Sequence, residues 1–196
     1  MENNDLTAGV DEVGRGSLAG PVVSAAVILS KKIDLDLLKD SKKIKFQNRI
    51  RLANYIKKNS YFAIGVASVQ EISDLNILQA SLLSMKRAIS KLKKKPKLIL
   101  IDGIFAPKGI KNYKTIIKGD EKIKCISAAS ILAKTYRDLL MINLSKNFNN
   151  YAWEKNFGYG TKAHMAGLKK FGITTHHRKK FKPVHNMLFQ KKIETL

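Results

Sequence analysis

The chain has 196 residues, of which 44% are apolar and 8% aromatic, and this suits one globular domain with a sizeable core. No apolar run approaches the roughly 18 residues of a membrane span, and the polar N-terminus does not resemble a secretory signal, so we expect a cytoplasmic protein. The 37 basic residues against 15 acidic ones give a formal charge of +22, which indicates a polyanionic partner such as nucleic acid, although a compositional bias toward lysine would produce the same excess.

Five segments carry the pattern of β-strands. Residues 7–13 and 22–29 are separated only by a short glycine-rich turn, which predicts an antiparallel hairpin. Residues 98–101 form a continuous apolar run that is typical of a buried central strand. A further β-rich run covers residues 61–69, and a weaker candidate at residues 115–117 completes the set.

Helical periodicity falls between these strands, at residues 46–57, 77–92 and 127–146. The helix that precedes residue 98 is long enough for a crossover, so the strand that begins there should run parallel to a neighbour. We therefore predict an α/β fold with a mixed five-stranded sheet flanked by helices. The last part of the chain is aromatic, glycine-rich and basic, and we divide the sequence into a core, 1–147, and a C-terminal helical and loop appendage, 148–196.

Four acidic residues follow strand or turn signals. Asp11 and Glu12 end the first strand, Asp102 follows the buried strand at residues 98–101, and Asp120 lies in a turn before the long helix. Acids in apolar strands are costly unless a cation or partner compensates them, although an exposed strand end with a solvated Glu12 is an alternative. Neighbouring residues of a regular strand point to opposite faces, so Asp11 and Glu12 can share one site only if the strand twists or ends there.

Clustered carboxylates in a basic protein suit one chemistry in particular. Phosphodiester hydrolysis requires neutralisation of charge on the phosphate and on the attacking and leaving oxygens, which a pair of divalent ions can provide. Hard oxygen ligands favour Mg²⁺ or Mn²⁺. Separated aspartates are common in any chain of this size, so spacing alone does not decide this reading.

A resemblance to a known family covers most of the chain, from about residue 6 to residue 184. The opening segment, residues 8–16 (AGVDEVGRG) with 18–23 (LAGPVV), resembles the first signature of the bacterial ribonuclease HII family. Further matching motifs follow in order: DSKK at 40–43, NI at 76–77, IDG at 101–103, KGD at 118–120, SAASI at 127–131, AK at 133–134, RD at 137–138, GYGT at 158–161, His164, HR at 177–178, Phe181 and PV at 183–184.

The resemblance implies a ribonuclease H-like fold and an endonuclease that hydrolyses RNA in RNA–DNA hybrids. It implies that the enzyme also cuts 5′ to a single ribonucleotide in duplex DNA and leaves 5′-phosphate and 3′-hydroxyl ends. The family's catalytic and metal-binding acids correspond to Asp11, Glu12, Asp102 and Asp120. Its reader of the ribose 2′-hydroxyl corresponds to Gly14, Arg15 and Gly16, and its sugar-packing tyrosine to Tyr159. A glycine-lined backbone can approach a 2′-hydroxyl without obstruction, which agrees with this role.

Other contacts are expected from the basic residues. We expect Lys42, Lys43 and Arg178 to touch the nucleic-acid backbone, although exposed lysines are commonly only solvated. The family usually has lysine where this chain has Phe157, so one phosphate contact is either missing or supplied by Lys155 or Lys162.

Several alternatives stay open at this level. A non-enzymatic nucleic-acid scaffold and another nuclease on the same fold, such as a resolvase, would share the charge or the acids. Asp138 is a rival fourth ligand, but an ion pair with Arg137 is its commoner role. The histidines show no zinc-ligand spacing. The tail, residues 186–196, is either a helix end or a docking peptide for a replication clamp, and we expect a monomer.

Overall fold

A central sheet of five strands organises the chain, in a computed structural model that describes residues 6–38 and 44–193, with the backbone alone for 189–193. The strand order is β3-β2-β1-β4-β5. The strands are β1 (Thr7–Val13), β2 (Val22–Leu29), β3 (Ser60–Ala67), β4 (Leu98–Asp102) and β5 (Tyr113–Ile116).

The sheet is mixed, as the sequence predicts. Strands β1 and β2 form the expected antiparallel hairpin, in which Asp11 lies opposite Ala25. Strand β4 runs parallel to β1, with Val10 opposite Ile101, and β5 runs parallel to β4. The predicted hairpin and the predicted parallel crossover are both confirmed.

Eight α-helices occur in the described residues. They are α1 (Phe46–Asn59), α2 (Val69–Leu75), α3 (Ile77–Ser90), α4 (Gly119–Lys122), α5 (Lys124–Ser145), α6 (Trp153–Asn156), α7 (Lys162–Phe171) and α8 (Lys182–Ile193). In this part of the chain, none of them is long and apolar enough to span a membrane.

Helix α2 begins where a strand was expected to continue. The strand predicted at residues 61–69 ends at Ala67, because Ser68 forms a capping box with Glu71. The Ser68 hydroxyl accepts a hydrogen bond from the backbone N–H of Glu71 at 3.1 Å, and the Glu71 carboxylate accepts one from the N–H of Ser68 at 2.8 Å. These bonds satisfy the N-terminal donors of the helix, and the S-x-x-E pattern that predicts them is visible in the sequence.

The chain divides into two compact units that are not contiguous in sequence. The first, here called the sheet unit, contains Met1–Val13, Val23–Val66 and Ser81–Tyr136. The second, here called the helical unit, contains Gly14–Val22, Ala67–Ala80 and Arg137–Leu196. The sequence pattern suggested one cut near residue 147, whereas the observed division also takes two earlier segments into the helical unit.

Each face of the sheet unit has its own apolar core. Val10 and Ile101 pack on one face with α3 side chains such as Met85 and Ala88. Ala25 and Val27 pack on the other face with α1 and with the first part of α5. Gly9 allows α5 to approach closely, since a side chain at this position would collide with the Cys125 backbone. The alternation of side chains along β1 and β4 thus decides which residues face α5.

The helical unit has a separate core around Trp153, which is fully buried. The Trp153 ring stacks on Tyr151, with centroids 5.1 Å apart. Leu18 and Ala19, from the segment that follows β1 in the chain, belong to the same core as Met141 of α5. A short stretch near the N-terminus is thereby built into the C-terminal packing unit.

Candidate active site

Two aspartates lie at the carboxyl ends of neighbouring parallel strands in the sheet unit. Val10 and Ile101 are paired in the β1–β4 register, and Asp11 and Asp102 are the next residue of each strand. Because side chains alternate along a strand, Asp11 and Asp102 point to the face opposite Val10 and Ile101, which is the α5 face. The carboxyl end of parallel strands is the usual position of ligand-binding groups in α/β sheets.

The Asp11 carboxyl group is buried, with 6% of its surface exposed. It accepts a hydrogen bond from the backbone N–H of Glu12 at 2.7 Å, and a side-chain hydrogen bond from Ser130 of α5 reaches it as well. Burial raises the pKa of Asp11 well above its ordinary value, and the charges of Glu12 and Asp102 raise it further. The two hydrogen bonds offset this only in part, so the protonated form of Asp11 is favoured.

Glu12 starts from the opposite face of β1. It lies opposite Ser24, whose hydroxyl is hydrogen-bonded to Ser84 of α3. The strand ends one residue later, at Val13, and the Glu12 charge is the second largest contribution to the raised pKa of Asp11. The two carboxylates are therefore close enough to interact at the strand end, as the sequence requires of a shared site.

Asp120 is brought toward Asp102 by the start of α4. The backbone N–H of Gly119 donates a hydrogen bond to Asp102 Oδ1 at 2.6 Å, and Asp120 is the next residue, with 7% of its surface exposed. A side chain at Gly119 would approach Ile126 to 2.6 Å, so the absence of one allows this contact. The four sequence-predicted acids thus lie in the sheet unit, near the ends of β1 and β4. The charges of Glu12 and Asp102 act on Asp11, and Asp120 follows the glycine that is hydrogen-bonded to Asp102.

The donor set fits a hard divalent cation by its chemistry. All four side chains offer carboxylate oxygens, and a cation would compensate the buried negative charge of Asp11. Within residues 6–38 and 44–193, no group of three or more His, Cys, Asp or Glu side chains is already arranged as a metal cluster. The charges of Glu12 and Asp102 nevertheless both act on the Asp11 carboxyl group.

The segment Gly14–Val22, here called the reader loop, belongs to the helical unit. Arg15 and Gly16 are exposed, and a side chain at Gly16 would meet no atom within 4 Å. The backbone N–H groups of Leu18 and Ala19 donate to the Gly158 carbonyl oxygen at 2.8 and 3.3 Å. The loop thus offers open backbone at its start and is hydrogen-bonded to the Gly158 segment further along.

Tyr159 is half-buried beside this segment. Its ring centroid lies 5.7 Å from the guanidinium carbon of Arg137. Its carbonyl oxygen accepts from the N–H of Thr161 at 2.8 Å and is 3.0 Å from His164 Nδ1. The carbonyl group of Tyr159 is therefore held in place within the helical unit.

Arg178 does not have the environment expected of a phosphate contact. It is 2% exposed, and its guanidinium donates to the carbonyl oxygens of Gly20 and Arg15 at 3.0 and 2.9 Å. This burial disfavours the contact between Arg178 and the nucleic-acid backbone that is expected from the sequence. Lys42 and Lys43 lie outside the described residues.

The remaining candidates have structural environments. Asp138 is fully buried and its charge favours the protonated form of the neighbouring Arg137, which agrees with the ion-pair interpretation. His164 and His177 are buried, with their Nε2 atoms 3.0 Å apart. Phe157 packs against the core of the helical unit.

Arg137 is the residue whose importance the sequence reasoning missed. The sequence predicts for it only an ion pair with Asp138, yet it is fully buried and donates three hydrogen bonds to backbone carbonyls. The available signal was an adjacent pair of opposite charges in a helix whose residues are mostly apolar.

Comparison with known proteins gives a consistent family. The family model described as Ribonuclease HII matches residues 8–191. The chain is 60% identical over 185 residues to a ribonuclease HII of Pelagibacter ubique, covering 93% of this chain and 99% of that protein. It is 46% identical over 186 residues to a ribonuclease HII of Roseobacter denitrificans, covering 94% of each.

Solved structures share the fold. Ribonuclease H2 from Pyrococcus horikoshii superposes with a TM-score of 0.80 at 24% identity, over 95% of this chain and 98% of that one. The PCNA:RNase HII complex from Archaeoglobus fulgidus contains a chain with a TM-score of 0.71 at 26% identity, over 92% of this chain and 96% of that one. Bst-RNase HIII, solved in complex with Mn²⁺, has a TM-score of 0.75 at 20% identity, over 95% of this chain and 70% of that one. The predicted ribonuclease H-like fold is confirmed.

Proposed function

The chain belongs to the ribonuclease HII family of metal-dependent endoribonucleases, which cleave RNA in RNA–DNA hybrids, and we propose that it also cuts duplex DNA on the 5′ side of a single embedded ribonucleotide. The cut leaves a 5′-phosphate and a 3′-hydroxyl. One observation carries this proposal: the strand that bears Asp11 and Glu12 is followed, after Val13 and Gly14, by the exposed residues Arg15 and Gly16. Only two residues of the chain therefore separate the acids for hydrolysis from the segment assigned to the ribose.

In this proposal Asp11, Glu12, Asp102 and Asp120 hold two divalent ions, Mg²⁺ or Mn²⁺. When bound, these ions neutralise charge on the phosphate and on the attacking and leaving oxygens. The raised pKa of the buried Asp11 supports this role, since a carboxylate destabilised by burial and by neighbouring acids gains most from a cation. The hydrogen bond from Gly119 to Asp102 fixes the orientation of a second carboxylate at the end of the adjacent strand.

Recognition of the ribonucleotide is assigned to the reader loop and to Tyr159. The 2′-hydroxyl is the group that distinguishes RNA from DNA, and it both donates and accepts hydrogen bonds. The open backbone at Gly16 can approach it closely, because no side chain intervenes. The half-buried Tyr159 ring offers a flat apolar face for the sugar, while its backbone is fixed by Thr161 and His164.

Affinity for the duplex is assigned to lysines. The chain carries a formal charge of +22, and neutralisation of phosphates by basic side chains dominates non-specific binding. We assign backbone contacts to Lys42 and Lys43 and, in place of the family's usual lysine at position 157, to the exposed Lys155 or Lys162. Docking of the C-terminal segment to a replication clamp stays a prediction.

The test is cleavage of a labelled DNA duplex that contains one ribonucleotide, with Mg²⁺, Mn²⁺ or a chelator. We expect a metal-dependent cut 5′ to the ribonucleotide, and a loss of more than about 100-fold in kcat/KM for Asp102→Asn, because even indirect partners of metal ligands contribute 10–100-fold. Asp74→Asn removes an exposed carboxylate of α2 and is the matched control. An intact ribonucleotide duplex under every metal, beside efficient cleavage of a long RNA–DNA hybrid, would contradict the proposal.

A further inference from the structure

We propose that Arg137 and Arg178 are positioning residues, which hold the reader loop in the one conformation that discriminates a ribonucleotide from a deoxyribonucleotide. This inference rests on the proposed role of the loop. It gives the two arginines no contact with substrate and no part in the chemistry. Both residues and the loop lie in the helical unit.

Both arginines donate hydrogen bonds to the backbone of the reader loop. Arg178 donates to the carbonyl oxygens of Arg15 and Gly20, at 2.9 and 3.0 Å. Arg137 donates to those of Ala19 and Pro21, both at 2.9 Å. The reader loop is not a helix or a strand over these positions, so the two side chains take the place of regular backbone donors to these four carbonyl groups.

Arg137 reaches both segments assigned to the ribose. Its third hydrogen bond, from Nη1, goes to the carbonyl oxygen of Phe157 at 2.9 Å, two residues before Tyr159. The Tyr159 ring lies over the same guanidinium. One planar group therefore bridges the reader loop and the tyrosine segment, beside the direct hydrogen bonds from the loop to the Gly158 carbonyl oxygen.

Both arginines are buried. Arg137 is fully buried and Arg178 is 2% exposed, so neither lies at the surface, where a phosphate would bind. Burial lowers the pKa of the Arg178 guanidinium to about 9, and the neighbouring charge of Arg137 acts in the same direction. Two cations placed side by side away from water are costly, and the hydrogen bonds to carbonyl groups, together with the charge of Asp138 beside Arg137, offset this cost.

The backbone around Arg137 leaves room for its guanidinium group. Gly14 has a φ of 92°, and a side chain there would collide with the Arg137 guanidinium. The first glycine of the loop thus leaves room for the arginine, while the exposed Gly16 leaves room for a ligand. The two glycines have different reasons to lack a side chain.

A guanidinium supplies several N–H donors in one rigid plane, whereas lysine supplies a single point of charge. Lysine at position 178 keeps the charge but cannot bridge the carbonyl groups of Arg15 and Gly20. A positioning role therefore predicts that lysine does not substitute, and that free guanidinium entering the space left by Arg178→Ala restores function. A general effect of charge predicts the opposite for lysine.

The experiment measures cleavage of the single-ribonucleotide duplex and binding of an all-DNA duplex by Arg178→Ala, Arg178→Lys and wild type. We expect both variants to lose about 100-fold in kcat/KM, the effect of a displacement of about 1 Å in a positioning group. Binding of all-DNA duplex should stay within about threefold, since surface lysines provide it. Methylguanidinium, far below denaturing concentrations, should restore cleavage to Arg178→Ala and not to Arg178→Lys.

Two controls keep the outcome interpretable. The single tryptophan, Trp153, is buried in the core of the helical unit, and its unchanged fluorescence shows that this unit is folded. Lys179→Ala removes the adjacent exposed cation and should weaken duplex binding without changing the preference for a ribonucleotide. If Arg178→Ala does not fold, the lysine variant still decides the question.

Wild-type kinetics in either variant would overturn the inference. So would a loss of all-DNA binding equal to the loss of cleavage, which would indicate a direct phosphate contact. Failure of the wild type to cut the single-ribonucleotide duplex contradicts the proposed function instead, and a long RNA–DNA hybrid then serves as substrate for the same comparison.

Discussion

The four acids of the sheet unit and the two buried arginines of the helical unit differ in how far the protein compensates their buried charge. Asp11 is buried beside Glu12 and close enough to Asp102 to feel its charge, and its pKa is raised. Arg137 and Arg178 are equally buried, but backbone carbonyls of the protein itself accept their hydrogen bonds. The hydrogen bonds to the Asp11 carboxyl group offset its burial only in part, whereas the two guanidinium groups donate to several carbonyl oxygens.

The acids of the sheet unit therefore form a site that a bound cation would stabilise, whereas the arginines of the helical unit form a preorganised structure. A carboxylate group without compensating charge lowers the stability of the metal-free protein and binds a cation strongly in return. A guanidinium that is already hydrogen-bonded contributes rigidity before any substrate arrives. Removal of a charge should therefore change stability in opposite directions in the two units.

The largest effect on stability is expected from Arg137→Ala. The substitution leaves Asp138 buried without its neighbouring cation and leaves three carbonyl oxygens without a donor. Breaking such a buried ionic arrangement from one side costs about 3–5 kcal/mol. Urea unfolding followed by circular dichroism measures the free energy of unfolding.

Arg51→Ala is the matched control for this measurement, because Arg51 is an exposed arginine of α1. It should change the free energy of unfolding by less than about 0.5 kcal/mol. A loss below about 1 kcal/mol for Arg137→Ala would show that the carbonyl groups find other partners and that the loop does not depend on this side chain.

The next effect is expected from Asp11→Asn, with opposite signs for activity and stability. Cleavage should fall more than about 100-fold, because a metal ligand is lost. Since the folded-state pKa of Asp11 lies above the unfolded value of about 3.9, the unfolded chain loses this proton first as the pH rises, and the ionised residue destabilises the metal-free fold at neutral pH. With chelator at pH 7, Asp11→Asn should therefore raise the midpoint of thermal unfolding, by about 2–4 °C if about 1 kcal/mol is relieved.

Addition of Mg²⁺ or Mn²⁺ sharpens this test. The ion should raise the thermal midpoint of the wild type and do so much less for Asp11→Asn, because ligand binding stabilises the folded state in proportion to its affinity. Asp74→Asn, at an exposed position, should behave as the wild type does. A lower midpoint for Asp11→Asn in chelator would mean that its hydrogen bonds, including that from Ser130, outweigh the cost of its burial.

The sheet could be predicted from the sequence because its signals are local. The bounds of β1 and β2 and the antiparallel pairing follow from apolar runs and a short glycine-rich turn. The acids at Asp11 and Asp102 could be predicted for the same reason, since each directly follows or ends an apolar strand. The sequence analysis does not predict helix α2, although the S-x-x-E pattern of its capping box begins at Ser68.

The arrangement of the arginines could not be predicted in this way. The carbonyl partners of Arg137 in the reader loop are 116 and 118 residues away in the chain, and those of Arg178 are 158 and 163 residues away. Any carbonyl group can accept from a guanidinium, so sequence pattern does not identify which ones do. Arg178 was read as a phosphate contact because an arginine in a basic segment is usually exposed, and only the fold shows that it is buried.

At pH 7 the smallest effect on stability is expected from the buried histidines, whose titration changes stability only as the pH falls. Burial and the nearby charges of His164 and His176 lower the pKa of His177 to about 3. Its Nδ1 accepts from the Thr174 N–H at 2.9 Å, so its Nε2 carries the hydrogen and donates to His164. The Trp153 indole N–H also donates to His164 Nε2, at 3.1 Å. Because the lone pair of His164 Nε2 already accepts these hydrogen bonds, it is not available to bind a proton.

A histidine whose folded-state pKa is depressed stabilises the fold above its unfolded pKa of about 6.5, and this stability is lost as the pH falls toward 3. The contribution of His177 alone should then decrease the free energy of unfolding by up to about 1.4 kcal/mol per pH unit below 6.5. His177→Phe should flatten this slope in part, because the pKa of His164 is lowered by burial as well. His185→Asn, at an exposed position of α8, should keep the wild-type slope. An identical slope for wild type and His177→Phe would mean that the His177 ring gains a proton in the folded state. The hydrogen-bonded His164 and His177 rings would then not both be neutral.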